Sequence, residues 1–181
     1  MKKILYILLC LAGLTLTTSC AEEEWSAGDP ALDHTYYIGF EDWGQFKNDV
    51  TFNVNRGETV SVPMQFWCEF KRNYDVVTYY WIESSLTRGT DYEIVDANGQ
   101  TLQPGANGAY QLLWPNALKG VQNVYVKALN GATGKVVVTT FDSNAGITLS
   151  NQDVTSTIQH TESQYEVRIF TQNYKVTVNV K

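Results

Sequence analysis

The chain has 181 residues, of which 44% are hydrophobic and 13% aromatic, and its 13 Lys and Arg against 19 Asp and Glu give a net charge of −6. Affinity for phosphate backbones comes from clustered basic residues. The basic residues here are few and scattered, so a nucleic-acid-binding role is excluded. The length suffices for a domain that buries a core without disulfides or a structural metal.

The first residues of the chain have the three parts of a signal peptide. Lys2 and Lys3 form a positive start, residues 4–16 are almost wholly apolar, and residues 17–19 are small. The apolar run is shorter than the about 20 residues required to cross the hydrocarbon core of a bilayer. We therefore predict that residues 1–19 are removed rather than retained as a membrane span.

Cys20 follows directly, and here the sequence resembles the lipobox of bacterial lipoproteins, in which a leucine and two small residues precede a cysteine. Leu16 lies one position earlier than the usual leucine, a variation common in lipoproteins of the Bacteroidetes type. The resemblance implies that Cys20 carries the lipid and anchors the chain in a membrane. Ordinary secretion, with Cys20 present by chance, is the alternative interpretation.

Three acidic residues, Glu22, Glu23 and Glu24, come soon after the cysteine. They resemble the signal that directs Bacteroidetes lipoproteins to the outer face of the outer membrane, which implies exposure at the cell surface. On physical grounds alone, such a charge run is equally expected in a solvated tether. Residues 20–34 are predicted to be that tether, because they are acidic, contain Gly and Pro, and show no apolar period.

Residues 35–181 are predicted to form one domain in which the dominant apolar period is two. Val50, Phe52 and Val54 alternate with polar residues, as in a half-buried strand. We predict strands at residues 50–54, 60–70, 76–83, 92–95, 109–114, 121–129, 135–141, 165–170 and 174–180.

Turn residues separate several of these segments. Residues 96–99 and 130–134 accept a positive φ, as tight connections between antiparallel strands require. Short strands at this spacing favour a sandwich over a barrel. The sequence therefore predicts an all-β fold, a single immunoglobulin-like antiparallel β-sandwich of about eight or nine strands. No strand is predicted in residues 142–163, which are expected to be a long loop.

Two stretches resemble the Calx-beta type of immunoglobulin-like domain. Residues 54–62 read strand, glycine turn and strand, and the Arg-Gly-Thr-Asp-Tyr run at 88–92 leads into a strand before Leu-Gln-Pro-Gly at 102–105. The resemblance covers about residues 50–130 and implies a sandwich domain. It implies no activity, because many extracellular modules share this fold without sharing a function.

Some members of that family bind calcium, which requires six to eight oxygen ligands around one point. Asp91 is the only acidic residue at a matching motif position, and Asn55 and Arg56 stand where the family often has glutamate. Asp91 is therefore the single calcium candidate, and we predict no other metal and no cofactor.

Residue types used in catalysis occur without a catalytic context. His34 and His160 are the only histidines, neither lies in a metal-binding or nucleophile motif, and both are expected on the surface or in loops. Cys68 lies on an apolar row and is expected to be buried.

Glycosidases need only two carboxylates about 5 to 9.5 Å apart, and the sequence singles out no pair. The acidic residues considered are Asp42, Glu69, Glu83, Asp91 and Glu93. We predict that the protein is not an enzyme.

Trp67 is the clearest candidate for a binding residue. Alternation that buries Phe66 and Cys68 sends Trp67 outward beside Gln65 and Glu69. Aromatic rings with adjacent amides and carboxylates suit carbohydrate, because sugar rings stack on flat apolar faces while polar neighbours bond the hydroxyl groups.

A hairpin centred on Asn73 would extend this surface. It would place Tyr79 opposite Trp67 and Trp81 opposite Gln65, so that the three rings would form one aromatic platform with the Gln65 amide beside them. In immunoglobulin-like sandwiches, however, consecutive strands also cross between the sheets, and Trp67 and Tyr79 would then not be neighbours.

Two other interpretations of the aromatic residues remain open. The rings of the platform are covered by the tether or by residues 142–163, or they fill ordinary cross-strand pairs. Alternatively, Trp43 and Trp114, which stand beside Gly44 and Pro115, belong to a site at a loop end.

Two classes of function survive. The first is a non-catalytic accessory module that captures glycan for an outer-membrane uptake system. The second is a structural or adhesion module that binds another surface protein. Glycan capture predicts exposed aromatic rings over a flat or concave polar patch, whereas adhesion predicts an apolar patch or an open edge strand.

Overall fold

Eleven strands make up almost all of the regular structure in the computed structural model, which describes residues 33–41, 46–145, 149 and 156–181. They are β1 (Thr35–Phe40), β2 (Thr51–Val54), β3 (Thr59–Trp67), β4 (Val76–Ser84), β5 (Tyr92–Val95), β6 (Tyr110–Trp114), β7 (Gly120–Ala128), β8 (Gly134–Thr139), β9 (Ser156–Thr161), β10 (Glu166–Phe170) and β11 (Lys175–Val180). Short 3-10 turns occupy Pro115–Ala117 and Ser143–Ala145. The predicted all-β class is confirmed.

The strands form two sheets of a sandwich. The six-stranded sheet has the order β5-β7-β3-β1-β10-β9, and the five-stranded sheet has the order β2-β11-β8-β4-β6. Two pairs, β1 with β10 and β2 with β11, are parallel, and the other described pairs are antiparallel. The first two strands thus attach to the last two, which makes the sandwich only mostly antiparallel.

The chain changes sheet at nearly every connection. Among the described strands, β9 and β10 are the only consecutive pair that is hydrogen-bonded together. The predicted hairpin between the strands that carry Trp67 and Tyr79 is therefore wrong, because β3 and β4 lie in different sheets.

Nine of the eleven strands correspond to the predicted segments. The two additional strands are β1 and β9, and β9 lies within residues 142–163, which were expected to be a loop. The predicted strand at 60–70 ends at Trp67, and Cys68 beyond it is half-buried.

The core lies between the inward rows of the two sheets. In β4 the predicted alternation holds, since Val76, Thr78 and Tyr80 are buried and their neighbours on the strand are more exposed. The rings of Phe66 and Trp114 stack across the core with centroids 4.8 Å apart.

Cys20 and the predicted signal and tether segments up to residue 32 lie outside the described residues. In the part of the chain that the structure describes, no helix has the length and apolar character needed to span a membrane.

Candidate functional site

The predicted aromatic platform is divided between the two outer faces of the sandwich. Trp67 lies on β3 in the six-stranded sheet, whereas Tyr79 and Trp81 lie on β4 in the five-stranded sheet. All three are half-buried and alternate with core residues. The chain crosses from one sheet to the other between β3 and β4, as the alternative interpretation of the sequence allowed, and this crossing separates Trp67 from Tyr79 and Trp81.

Trp67 belongs instead to a row of outward side chains that crosses four neighbouring strands. Tyr37 of β1 pairs with Trp67 of β3 on one side and with Arg168 of β10 on the other, and Arg168 pairs with Ile158 of β9. At about 4.8 Å between strands, the row is about 14 Å long. Ile158 is 43% exposed, and the other three side chains are half-buried. We call these four residues the outer row.

Two phenylalanines brace the aromatic half of the outer row. Phe170 stacks on Tyr37 with centroids 4.9 Å apart and on Phe46 at 4.5 Å. Trp67 packs nearly at right angles against Phe46 at 5.8 Å and against Phe170 at 5.3 Å. Aromatic pairs in such geometries contribute about 0.5–1.5 kcal/mol beyond the burial of their area. The four rings therefore form a fixed cluster on the outer face.

Gly39 of β1 makes room for the Trp67 ring. A Cβ atom at position 39 would lie 3.1 Å from Cζ3 of Trp67 and 3.0 Å from the carbonyl oxygen of Asn173. Gln65, which pairs with Gly39, donates from Nε2 to two backbone carbonyl oxygens at 2.9 and 3.1 Å. The amide donor of this predicted ligand residue is thus engaged within the sheet.

Arg168 is held on the outer face by its neighbours. Its Nη1 lies 2.7 Å from Oε1 of Glu166, and its Nε donates to Oγ of Ser156 at 2.9 Å. The arginine side chain is 28% exposed. A guanidinium fixed in this way loses little additional freedom when it contacts a partner.

A β-bulge aims the side chain of Gln159 at β4. The pairing of β9 with β10 shifts register between Val167 and Arg168 and leaves Gln159 without a partner strand residue. Oε1 of Gln159 accepts the N–H of Tyr79 at 2.9 Å, and Nε2 donates to the carbonyl oxygen of Tyr79 at 2.9 Å and to that of Thr140 at 2.6 Å. Bulges commonly re-aim a side chain in this manner.

Tyr79 packs against β9, and Trp81 lies beside Tyr79 with ring centroids 6.2 Å apart. The His160 ring packs edge-on against Tyr79 with centroids 4.8 Å apart. Nε1 of Trp81 is inaccessible to solvent and has no hydrogen-bond partner within the described ranges. Because β9 belongs to residues 142–163, the interpretation in which that segment covers the rings holds in part for Tyr79.

The remaining site candidates lie apart from the outer row. Trp114, expected at a loop end, is only 2% exposed, and its Nε1 donates to Oγ1 of Thr78 at 2.9 Å. That expectation was wrong, because β6 extends through Trp114 and directs its ring into the core. Glu69 is exposed beyond the end of β3. Trp43 and Asp42 lie outside the described residues.

Asp91 fixes two loops together. Its Oδ2 accepts the N–H of Thr87 at 2.7 Å, and its Oδ1 accepts the N–H of Ala132 at 2.7 Å. These two hydrogen bonds hold the pKa of Asp91 below its usual value. Both oxygens of the single calcium candidate are thus committed to backbone. Over the described ranges, no group of three or more His, Cys, Asp or Glu side chains is placed to hold a metal ion.

The two histidines and Cys68 are half-buried, whereas Glu69 and Glu83 are exposed. His160, expected in a loop, is half-buried on β9 between Tyr79 and Tyr165, and burial lowers its pKa. His34 is also half-buried, directly before β1. Burial raises the pKa of the Cys68 thiol, the opposite of what a nucleophilic cysteine needs.

An open depression of about 490 Å³ lies beside the aromatic cluster. Its lining residues are Phe46, Lys47, Asn48, Asp49, Gln172 and Lys175. The Asn48 amide is fixed, since its Nδ2 donates to the carbonyl of Thr171 at 2.9 Å and its Oδ1 accepts the N–H of Tyr174 at 2.8 Å. The depression includes one ring and no residue of the outer row.

Three of the four outer-row residues were not predicted as site residues. Tyr37 lies on β1, which was not predicted, and Ile158 lies on β9, in the segment assigned to a loop. Arg168 lies on a predicted strand, but its parallel pairing with β1 joins opposite ends of the domain. The alternation of Tyr36, Ile38 and Phe40 is the signal that would have identified β1.

No family model matches the chain, and no curated protein matches it. Among solved structures, the chain is similar to CaCohA2 from Clostridium acetobutylicum in solution, with 14% identity, a TM-score of 0.37, and coverage of 80% of this chain and 91% of that one. It is also similar to a chain of the crystallised CaDoc0917–CaCohA2 complex, with 9% identity, a TM-score of 0.37, and coverage of 81% and 99%. At these values the likeness supports no inference about function.

Proposed function

We propose that the protein is a non-catalytic module that binds another protein at the cell surface through its outer row. The observation that carries this proposal is the register of β3, β1, β10 and β9, which places Trp67, Tyr37, Arg168 and Ile158 in one outward line. Trp, Tyr and Arg are the residue types that most often dominate the binding energy of protein interfaces.

The outer row has the rigidity that such a surface needs. Tyr37 and Trp67 are packed against Phe170, and Arg168 is held by Glu166 and Ser156. A partner would therefore bury side chains whose conformations are already fixed, which reduces the entropy cost of association. Ile158, at 43% exposure, adds an aliphatic contact at the end of the row.

A protein ligand fits this surface better than a glycan does. Carbohydrate recognition by the predicted platform required Trp67, Tyr79 and Trp81 on one face, and they lie on different sheets. Part of the Trp67 ring surface is committed to Phe46 and Phe170. The row instead continues into Arg168 and Ile158, an arginine and an aliphatic residue rather than the amides that bond hydroxyl groups.

The proposal places the module on the outer face of the outer membrane, attached through a lipid on Cys20. Its support is the sequence alone: the apolar run ending at Leu16, the cysteine, and the acidic residues that follow it. A non-catalytic role is supported by the positions of Asp91 and His160, which are engaged in packing or in backbone hydrogen bonds.

Site-specific photo-cross-linking on intact cells tests this function. A benzoylphenylalanine at Ile158 is compared with the same residue at Lys135, which is exposed on β8 of the other sheet. We expect a discrete protein adduct at position 158 that is absent at 135 and is lost when Trp67→Ala is added.

Two results would contradict the proposal. One is the absence of any protein adduct specific to position 158. The other is retention of the purified chain on a polysaccharide gel that Trp67→Ala abolishes, which would restore the glycan hypothesis for this face.

A further inference from the structure

Three parts of the chain meet at one end of the sandwich. Tyr37 pairs with Trp67, Phe66 with Gly120, and Val76 with Trp114. These registers bring together the start of β1, the β3–β4 loop at 68–75 and the β6–β7 turn at 115–119. We call this the β1 end; the β2–β3 turn at 55–58 lies at the opposite end of β3.

The polypeptide enters the domain at the β1 end and is fastened there. The N–H of Glu166 donates to the carbonyl oxygen of His34 at 3.0 Å. Nδ1 of His34 is hydrogen-bonded to the hydroxyl of Tyr74 in the β3–β4 loop, and that hydroxyl lies 2.7 Å from the hydroxyl of Tyr36. The described part of the domain therefore begins at this end.

Exposed aliphatic side chains concentrate at the same end. Across the described residues, four large hydrophobic side chains are exposed, and three of them lie in or beside the β6–β7 turn. Leu113 is 52% exposed, Leu118 is 58% exposed and Val121 is 48% exposed. Lys71 and Lys119 are exposed at this end, and so are Glu69 and Asp75. The end thus combines exposed aliphatic side chains with charges of both signs, rather than one strong charge.

The turn that presents Leu118 is held in an uncommon conformation. Asn116 and Ala117 have φ values of 55° and 51°, a region that residues with a side chain rarely adopt. Ala117 is fully buried. The N–H of Asn116 donates to Oδ1 of Asp75 at 2.8 Å, and the carbonyl of Asn116 accepts the N–H of Arg72 at 2.8 Å. The surrounding structure maintains the strain, and the conformation fixes Leu118 outward.

We infer that the β1 end faces the membrane and that Leu118 contacts the lipid surface, flanked by Leu113 on one outer face and Val121 on the other. The inference rests on the lipid anchor at Cys20 included in the proposed function. Only the 14 residues from Cys20 to Asp33 separate the proposed anchor from His34, so an anchor at Cys20 would hold the β1 end closer to the bilayer than the opposite end. Aliphatic side chains beside lysines suit the boundary between headgroups and acyl chains.

Fluorescence on the lipidated full-length protein tests this orientation. The protein is reconstituted into vesicles of phosphatidylethanolamine and phosphatidylglycerol, in a Cys68→Ser background, with an environment-sensitive dye attached after Leu118→Cys. The matched control carries the dye after Arg56→Cys, an exposed position in the β2–β3 turn at the far end. We expect a blue shift and quenching by doxyl-labelled lipids at position 118 and neither at position 56. Both effects should persist in high salt, because the exposed Glu69 and Asp75 offset Lys71 and Lys119.

Each other outcome overturns the inference in a distinguishable way. In one outcome, the protein floats with the vesicles but lipids do not quench the dye at position 118. The protein is then anchored, but the β1 end does not face the membrane. A blue shift without lipid quenching indicates that a second copy covers Leu118. A protein that does not float with the vesicles refutes the anchor itself, and the orientation with it, while binding through the outer row remains open to the cross-linking test.

Discussion

The side chain of Gln159 pairs with the backbone of Tyr79 as a strand residue would. Its amide both accepts from the N–H of Tyr79 and donates to its carbonyl oxygen, at 2.9 Å in each case. β8 pairs with β4 only from Trp81 onward, so no described strand adjoins the first half of β4 on that side. Gln159 closes this gap and ties the six-stranded sheet to the five-stranded one.

Replacing Gln159 with alanine should lower the free energy of unfolding by about 2 kcal/mol, because the backbone groups of Tyr79 lose their partners in a half-buried setting. Gln159→Glu should cost a similar amount, since a carboxylate cannot donate to the two carbonyl oxygens. Denaturant unfolding monitored by circular dichroism measures the change. Gln164→Ala, at an exposed position in the β9–β10 turn, should be nearly neutral. Equal midpoints for the two alanine variants would contradict this role for Gln159.

The sequence predicted the positions of most strands correctly, but it did not predict which strands pair with one another in the sheets. Alternation in β4 correctly assigned Val76 and Tyr80 to the core, because a period of two needs only local information. The partner of a strand depends on the path of the chain, and here nearly every connection crosses the core. A tight hairpin between β3 and β4 was the expected local solution, and the loop at 68–75 instead carries the chain to the other sheet.

In the candidate site, too, the sequence predicted the orientation of a side chain on its own strand but not the strands beside it. Trp67 was correctly placed on an outward face from its own strand alone. Its neighbours Tyr37 and Arg168 come from β1 and β10, which pair in parallel although they lie at opposite ends of the domain. No local pattern encodes that pairing. Trp114 was misjudged because Pro115 suggested a turn, whereas the strand includes Trp114 and the turn begins after it.

Trp114 and Trp67 should differ in how much each contributes to the stability of the fold. Trp114→Ala empties a core site and should cost about 3–5 kcal/mol. Trp67→Ala removes a half-buried ring that packs against Phe46 and Phe170, and we expect a cost of about 1–2 kcal/mol. Thermal and denaturant unfolding of both variants measures the difference. A Trp67 variant as unstable as the Trp114 variant would show that the ring is a core element rather than part of a binding surface.

Gly131 should tolerate no side chain. A Cβ atom there would collide with Oδ1 of Asp91 and would lie 2.7 Å from the carbonyl oxygen of Thr90. Gly131→Ala should therefore separate the two loops that Asp91 joins and cause a large fall in melting temperature. Gly120→Ala is the matched control, because a Cβ atom at Gly120 meets nothing within 4 Å. Similar melting temperatures for the two variants would refute the close approach at Gly131.

His160 should make the protein less stable in mild acid. Burial lowers the folded-state pKa of His160 below its unfolded value of about 6.5, and the nearby charge of Glu162 only partly offsets this effect. The unfolded chain therefore binds more protons as the pH falls. The stability associated with neutral His160 is complete above about pH 6.5 and is lost as the pH falls through that value toward the folded pKa.

Urea unfolding at about pH 7.5 and at about pH 5 measures this dependence. The loss of stability between the two conditions should be smaller in His160→Phe than in the parent protein, whatever the absolute stability of the variant. The same loss in both proteins would mean that other groups dominate the acid response.

The affinity of the cross-linked partner for purified variants tests the central claim most directly. Arg168→Ala and Tyr37→Ala should each weaken binding by at least about tenfold, as expected for residues that dominate an interface. Lys135→Ala, on the outer face of the other sheet, should leave the dissociation constant unchanged. Unchanged affinity in both outer-row variants, with their folds intact by circular dichroism, would contradict the proposal that this row is the binding surface.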